Sequence, residues 1–506
     1  MSYILRSTEN KFPFCNFAYK AVIKHQKSLK VKFIWSLFSS LVVKKYLHLL
    51  KLFILYIFVL CINQVNALDV NIPNEIKPSV SILVVNASNE SILYSLNAKE
   101  PRLVASNVKL FTTFFALSEL KPDFRWQTKL YYTGKINDGV LDGDLYLVGS
   151  GDPTLDDKAV YEILSSLKRA GIYKIRGKVI LDSSIFKNTA KYSMLETNPY
   201  DPDTILPSGL MINGERSLVN VSVYGESVAL HTDLYGFKLN NNLKVNKRES
   251  QCIGLYNRIS IKKELSDITL NGKVAYGCQN KNLTYKFLSN FAYNRTIVYK
   301  VLNDFNIIVT GDVIDGVLNN KLAKLIYKYN SPSLAEVLIN MNRYSINLVA
   351  EALILTIGAY KTSNYNTYDD GVSKFVNFLS THKLLNKKTV IENGAGLSRF
   401  EYFSAENLNN LLNQISHSPY KSEIIASLPI PNLDGTLRKR YTKFQENIHA
   451  KTGTLNDTSA LCGYFISNVG ITYYFSFIFN SLDELNIVQR EQLNNLINNV
   501  LEQLNK

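Results

Sequence analysis

The sequence has few of the residues that hold metal ions. Six histidines and five cysteines are spread over 506 residues. None sits at His-Glu-x-x-His or Cys-x-x-Cys spacing, so a zinc hydrolase is disfavoured and no metal is expected. Internal repeats and low-complexity tracts are absent. No uninterrupted apolar run is long enough to cross a bilayer. Evenly spread positive charge is missing too: of the net +15, residues 1–67 hold ten Lys/Arg against one acid, Glu9. The other 439 residues carry 47 basic and 41 acidic side chains, an ordinary solubility charge, and no nucleic acid is expected as partner. A chain that is 46% hydrophobic and 20% charged is neither disordered, nor a small disulfide scaffold, nor collagen-like. Its length predicts two to four globular domains.

The basic first segment has the layout of a secretory leader. Leu52 to Ile62 is an unbroken apolar run, preceded by Lys44, Lys45 and Lys51 and followed by Val65-Asn66-Ala67. This predicts a signal peptide over residues 1–67, cleavage after Ala67 and export to the periplasm. An uncleaved anchor is the alternative, since a second apolar patch, Ile34 to Val43, precedes the run; membrane contact would then occur only through this leader. A translation start near Val43 would leave a leader of ordinary length. Of the cysteines beyond it, Cys252 and Cys278 are candidates for a disulfide between exposed strand ends, and Cys462 reads as a small core residue.

Along the remaining chain, Ser79 to Asn97 reads as a hairpin. A helix follows from Ala105-Ser106-Asn107 to just before Lys121-Pro122, with a broad apolar stripe. Thr128 to Gly316 reads as mainly strands, and Asn319 to Pro332 as a linker. Helical spacing returns at Ser333 to Asn342 and Ser345 to Ala359. Two strands, Leu461 to Ser467 and Ile471 to Phe479, precede a terminal amphipathic helix. Strands and a helix at both ends predict one α/β domain split by a long insertion.

Three short motifs carry chemistry. Ser106-Asn107-Val108-Lys109 places a hydroxyl and an amine on one helical face, where the amine can take the hydroxyl's proton. Six other Ser-x-x-Lys copies begin at Ser118, Ser165, Ser184, Ser260, Ser380 and Ser418. Only the Ser106 copy stands at the start of a strongly apolar helix, where backbone amides favour developing negative charge. Ser345-Ile346-Asn347 begins a second helix. Lys451-Thr452-Gly453-Thr454 precedes a strand, and Lys-Thr-Gly occurs once in the chain.

Ser-x-x-Lys, Ser-x-Asn and Lys-Thr-Gly in that order resemble the set of the penicillin-binding proteins and serine β-lactamases. The separation of 239 positions between Ser106 and Ser345, and Gly149-Ser150-Gly151-Asp152-Pro153-Thr154-Leu155 within it, narrow this. So do Leu210-Met211-Ile212-Asn213-Gly214-Glu215, Gly394-Ala395-Gly396-Leu397-Ser398-Arg399 and Leu433-Asp434-Gly435-Thr436-Leu437. The chain thereby resembles the D-alanyl-D-alanine carboxypeptidase/endopeptidase family, the class C low-molecular-mass penicillin-binding proteins, from about residue 79 to 480. One segment departs: the family commonly has Asp-Gly-Ser-Gly-Leu-Ser-Arg, whereas here Asn393 and Ala395 replace the Asp and the first Ser.

The resemblance implies an α/β (α+β) fold with a β-lactamase/transpeptidase-like catalytic domain. Its parts would be residues 68–122 and 318–506, around a mainly-β insertion at 123–317. It implies acyl transfer without a cofactor. Ser106 would be the nucleophile and Lys109 its base, with a pKa lowered by burial and by neighbouring cations such as Lys451. Ser345 would relay the proton to the leaving amine, and Asn347 would bind the substrate amide and fix Lys109. Lys451 would supply positive potential; Thr452, Gly453 and Thr454 would bind substrate, and the backbone amides of Ser106 and Thr454 would form the oxyanion hole. The implied partners are peptidoglycan stem peptides ending in, or cross-linked through, D-Ala, and β-lactam antibiotics. Gly-Asp-Pro at Asp152 reads first as a turn. A non-catalytic wall-binding protein on the same fold, or a β-lactamase, are the competing readings.

Overall fold

The computed structural model describes residues 68–187, 199–264, 267–361 and 366–505. The leader, and with it the expected cleavage site, lies outside the described residues. The described residues belong to one compact unit, Leu68–Lys506.

Both chain ends build one sheet. The expected N-terminal hairpin is β1 (Val80–Asn86) and β2 (Ile92–Leu96). It leads through a single 3-10 turn at Ala105–Asn107 into α1 (Val108–Leu120). After the insertion come α2 (Leu334–Tyr344), α3 (Asn347–Lys361), α4 (Thr367–Thr381) and α5 (Ala405–Ser416). The chain closes with β3 (Ile448–Leu455), β4 (Thr458–Ile466), β5 (Thr472–Asn480) and the terminal helix α6 (Ile487–Leu504). The sheet order is β2-β1-β5-β4-β3, antiparallel throughout. Residues almost 400 positions apart thus pair, Val80 with Phe479 and Val84 with Phe475.

The sheet is covered on both faces, which is why β4 reads as an almost continuous apolar run rather than an alternating one. On one side Leu83, Ala460, Cys462, Tyr464 and Ile478 pack against α1 to α5. On the other, Ile82, Val84, Leu461, Phe475 and Phe477 pack against α6 through Leu493, Ile497 and Val500. Cys462 is fully buried, as expected of a core residue. At the centre, α1 is apolar almost all round, with Phe111 stacked on Phe403 and Phe115 on Phe375. A helix packed on every side leaves water no access to a polar group it carries.

The insertion has its own core and is built mainly of strands, with three corrections to the sequence reading. Asp157–Arg169 and Asn290–Asp304 are helices, not strands. The first carries Ala159, Val160, Ile163, Leu164 and Leu167 inward at helical spacing and is capped by Asp156. It links the parallel strands Leu145–Val148 and Val179–Asp182, a connection that requires such a crossover. The expected linker holds the strand Lys324–Asn330, which pairs with Gln127–Tyr132. A boundary at residue 317 therefore cuts a sheet of the insertion. Cys252 and Cys278 are bridged, but Cys278 is buried rather than at an exposed strand end. The bridge ties two ends of a 26-residue separation beside the Asp267–Ala275 strand.

Candidate active site

The three motifs converge where α1, the α2–α3 junction and edge strand β3 meet. Ala105 takes a left-handed conformation, φ 48°, unusual for a non-glycine residue and typical of backbone held against its preference at functional positions. The next residue, Ser106, is half-buried at the head of α1, and Lys109 lies one turn on, fully buried. The Lys109 Nζ donates to Ser106 Oγ at 2.9 Å, to Asn347 Oδ1 at 2.6 Å and to the Ala395 carbonyl at 2.5 Å. All three hydrogens of an ammonium therefore have acceptors, one of them the candidate nucleophile.

Ser345 and Asn347 are placed by a break between helices. Ser345 ends α2 in the left-handed region, φ 58°, and Asn347 restarts the helix as α3. The second lysine comes from the sheet edge: Lys451 Nζ donates to Ser345 Oγ at 2.9 Å and to the Thr452 carbonyl at 2.9 Å. Thr452 Oγ1 donates to Thr436 Oγ1 at 2.8 Å. Gly453 lets β3 come this close, since a Cβ there would lie 2.3 Å from the Val104 carbonyl oxygen. Gly396 does the same for the opposite wall, with φ +82° and no room for a Cβ against the Ala105 carbonyl. Thr454 is exposed on the edge strand, where alternate backbone N–H groups have no neighbouring strand to bond.

Burial dominates the electrostatics. It lowers the Lys109 pKa to about 7, against the opposing pull of the Glu351, Glu401 and Asp203 carboxylates. Burial also holds Lys451 well below an ordinary lysine, and the charge of Lys109 lowers it further. The cation effect expected on Lys109 therefore falls on Lys451. Charge on one of these buried amines disfavours charge on the other, so one neutral amine beside one ammonium is favoured over two ammoniums. A serine bonded to an amine that is half-deprotonated near neutral pH is equipped for nucleophilic attack on a carbonyl.

The structure thus brings Ser106, Lys109 and Asn347 into one hydrogen-bonded group and Ser345 and Lys451 into a second, with Thr452 and Gly453 beside them. Asp152 is buried in a turn, its Oδ1 accepting from the Thr154 N–H (2.8 Å) and hydroxyl (2.7 Å). Burial raises its pKa to about 6. Sequence reasoning missed Ala395, which acts through its carbonyl and leaves no side-chain signal. It also missed Glu401, Glu351 and Asp203, whose carboxylates bear on Lys109. Thr436 lay within a matched motif, and only its bond to Thr452 singles it out. Arg399 grips both oxygens of Asp457 in the β3–β4 turn, at 2.7 and 2.8 Å, and Asp434 pairs with Arg343 at 2.6 Å. Among the described residues, no group of three or more His, Cys, Asp or Glu converges to hold a metal ion.

Comparison with known proteins gives matches along most of the chain. The sequence model described as the D-Ala-D-Ala carboxypeptidase 3 (S13) family matches residues 64–500. A D-alanyl-D-alanine carboxypeptidase of Actinomadura sp. strain R39 is 28% identical over 401 residues, 76% of this chain and 74% of that protein. The D-alanyl-D-alanine carboxypeptidase DacB of Haemophilus influenzae is 24% identical over 419 residues, 78% of this chain and 83% of that protein. Among solved structures, penicillin binding protein 4 (dacB) from Haemophilus influenzae superimposes with a TM-score of 0.72 at 22% identity. That match covers 84% of this chain and 96% of the other.

Proposed function

This chain belongs to the D-Ala-D-Ala carboxypeptidase 3 (S13) family of serine peptidases, and on that premise we propose that Ser106 is its nucleophile in a periplasmic enzyme that trims or un-crosslinks peptidoglycan. The observation that carries this reading is the Lys109 amine, fully buried, bonded to Ser106 Oγ at 2.9 Å, with its pKa lowered to about 7.

In the proposed reaction, Ser106 Oγ attacks the carbonyl carbon of the penultimate D-Ala as neutral Lys109 takes its proton. The tetrahedral oxyanion is met by the backbone amides of Ser106 and Thr454, a device worth roughly 3 to 4 kcal/mol per donor in serine hydrolases. As the C–N bond breaks, the leaving amine takes a proton from Ser345 Oγ, which Lys451 replenishes across their 2.9 Å bond. Water then attacks the ester carbonyl and gives its proton to the now neutral Lys451; the ester C–O bond breaks, and Lys109 returns its proton to Ser106 Oγ. Asn347 holds Lys109 and the substrate amide, and Thr452 and Thr454 suit the terminal carboxylate of the peptide. Carboxypeptidase and endopeptidase action share these steps and differ in whether a free D-Ala or a cross-linking peptide leaves.

Penicillin binding protein 4 of Haemophilus influenzae has also been solved in complex with a novel β-lactam, which supports the expectation that benzylpenicillin acylates Ser106 here. Mass spectrometry of the purified protein after brief exposure to benzylpenicillin, with a peptide map, tests it. A stable adduct on Ser106, absent in Ser106→Ala, is the expected result. Intact drug with unmodified protein would favour the wall-binding reading, and hydrolysed drug with unmodified protein a β-lactamase.

A further inference from the structure

We propose that Glu401 is a positioning residue for this reaction: its carboxylate shapes the Glu392–Ala395 turn so that the Ala395 carbonyl meets Lys109, and its negative charge bears on the Lys109 amine. The inference rests on the reading of Lys109 as the base of Ser106.

Glu401 is almost completely buried. Its Oε1 accepts three successive backbone N–H groups, from Glu392 at 3.0 Å, Asn393 at 3.0 Å and Gly394 at 3.1 Å. Three N–H groups converging on one oxygen form a cradle for negative charge, opposing the burial that raises the Glu401 pKa. The turn they shape delivers two carbonyls to α1: Gly394 O accepts from Thr112 Oγ1 at 2.6 Å, and Ala395 O accepts from Lys109 Nζ at 2.5 Å. Asn393 Oδ1 bonds the Ala395 N–H at 2.9 Å and keeps the turn closed. A misplaced Ala395 carbonyl would leave one hydrogen of a buried ammonium unpaired, and geometry errors of this kind are costly next to a reacting atom.

The charge matters because Glu401 is the carboxylate that holds this turn. The resembling family commonly has Asp at the position of Asn393, which here is a neutral amide with an unpartnered Nδ2. Glu401 bonds that same residue's N–H from the other side of the turn, so it supplies a carboxylate where Asn393 does not. The charged groups bearing on Lys109 are Glu351, Glu401 and Asp203, all favouring the ammonium; Lys109 in turn lowers Lys451, and Glu392 faces Glu401. Removing the Glu401 charge while keeping its shape therefore shifts Lys109 toward the neutral amine.

The test is the rate of acylation by a fluorescent penicillin across a range from about pH 5 to 9. Glu401→Gln keeps an acceptor oxygen for the three N–H groups; its acid limb should move to lower pH by about one unit. Glu401→Leu removes the acceptor and should lower the plateau by about 100-fold. Asn393→Asp alone, with two carboxylates crowded together, should slow acylation, and adding Glu401→Gln should restore it. Should the Leu variant fail to fold, as judged by circular dichroism, the Gln variant and the double variant decide. An unmoved acid limb in Glu401→Gln, with Lys109→Ala inactive, overturns this proposal and spares the base. Wild-type acylation of Lys109→Ala overturns the base reading itself.

Discussion

The two cores of this protein treat buried charge in opposite ways. In the catalytic part, Lys109 and Lys451 are both fully buried at the meeting of three elements and hydrogen-bond to side chains remote in sequence, Asn347 and Ser345. In the insertion, the buried Glu215 has a structural partner instead. It accepts from Asn290 Nδ2 at 2.6 Å, and Asn290 and Asn294 together bond the Leu210 carbonyl. Burial that lowers a lysine's pKa until the neutral amine is populated near neutral pH is useful at a site. The same burial on a lone carboxyl only destabilises its ionised form. One pattern of buried charge marks chemistry, the other marks a joint.

The largest effect that would sharpen this contrast is on the catalytic side. Lys109→Ala should reduce penicillin acylation by about 1,000-fold, the scale of a lost general base, while the thermal transition survives. Retained activity would mean that the buried amine is structural like the insertion's groups. In the wild type, acylation should fall as pH drops through about 7, because protonated Lys109 cannot take the serine's proton. A profile flat from about pH 5 to 8 would place the working pKa elsewhere.

In the insertion the expected changes are in stability, not chemistry. Replacing both Cys252 and Cys278 by Ser should destabilise that module by about 3 kcal/mol in the chain-entropy estimate. Limited proteolysis near the Asp267–Ala275 strand would report it, with acylation little changed. A large loss of acylation would show that the modules are more tightly coupled than their separate cores imply. A smaller effect is expected at Glu215, whose pKa burial raises to about 7. A carboxyl that binds its proton more tightly when folded loses stability as pH rises from the unfolded value, about 4.3, through the folded one. Glu215→Gln should therefore stabilise the protein by about 1 to 3 kcal/mol above pH 7 and not at pH 4, read from melting curves at both. The smallest effect belongs to Thr436→Val, which frees Thr452 Oγ1 from its acceptor. It should raise KM for a D-Ala-D-Ala peptide by about three-fold with kcat nearly constant.

Much of the catalytic part was legible because its signals are local. The apolar stripe of α1, the tight turn before β5 and the terminal amphipathic helix each follow from spacing over a dozen residues. The insertion was harder. Asp157–Arg169 carries a helical pattern and an N-cap, yet it lies between short strands and Gly-Asp turns that dominate the surrounding stretch. Lys324–Asn330 lies in a stretch rich in Lys and Asn that reads as a linker, and no residue of it is buried in a core. It becomes a strand only by pairing with Gln127–Tyr132, nearly 200 residues earlier.

Taken alone, the sequence determined the chemistry on offer: a serine and a lysine one helical turn apart, and two further motifs in a recognisable order. It determined these because residue type and short spacing carry them. Tertiary structure decided which lysine meets which hydroxyl, and it buried Lys109 in a helix packed on every side. It also set the Ala395 carbonyl against that lysine and brought the Glu401 charge to bear on it, from nearly 300 residues away in sequence. Backbone acceptors and long-range burial leave no mark in a linear pattern, yet they set whether Lys109 can accept a proton near neutral pH.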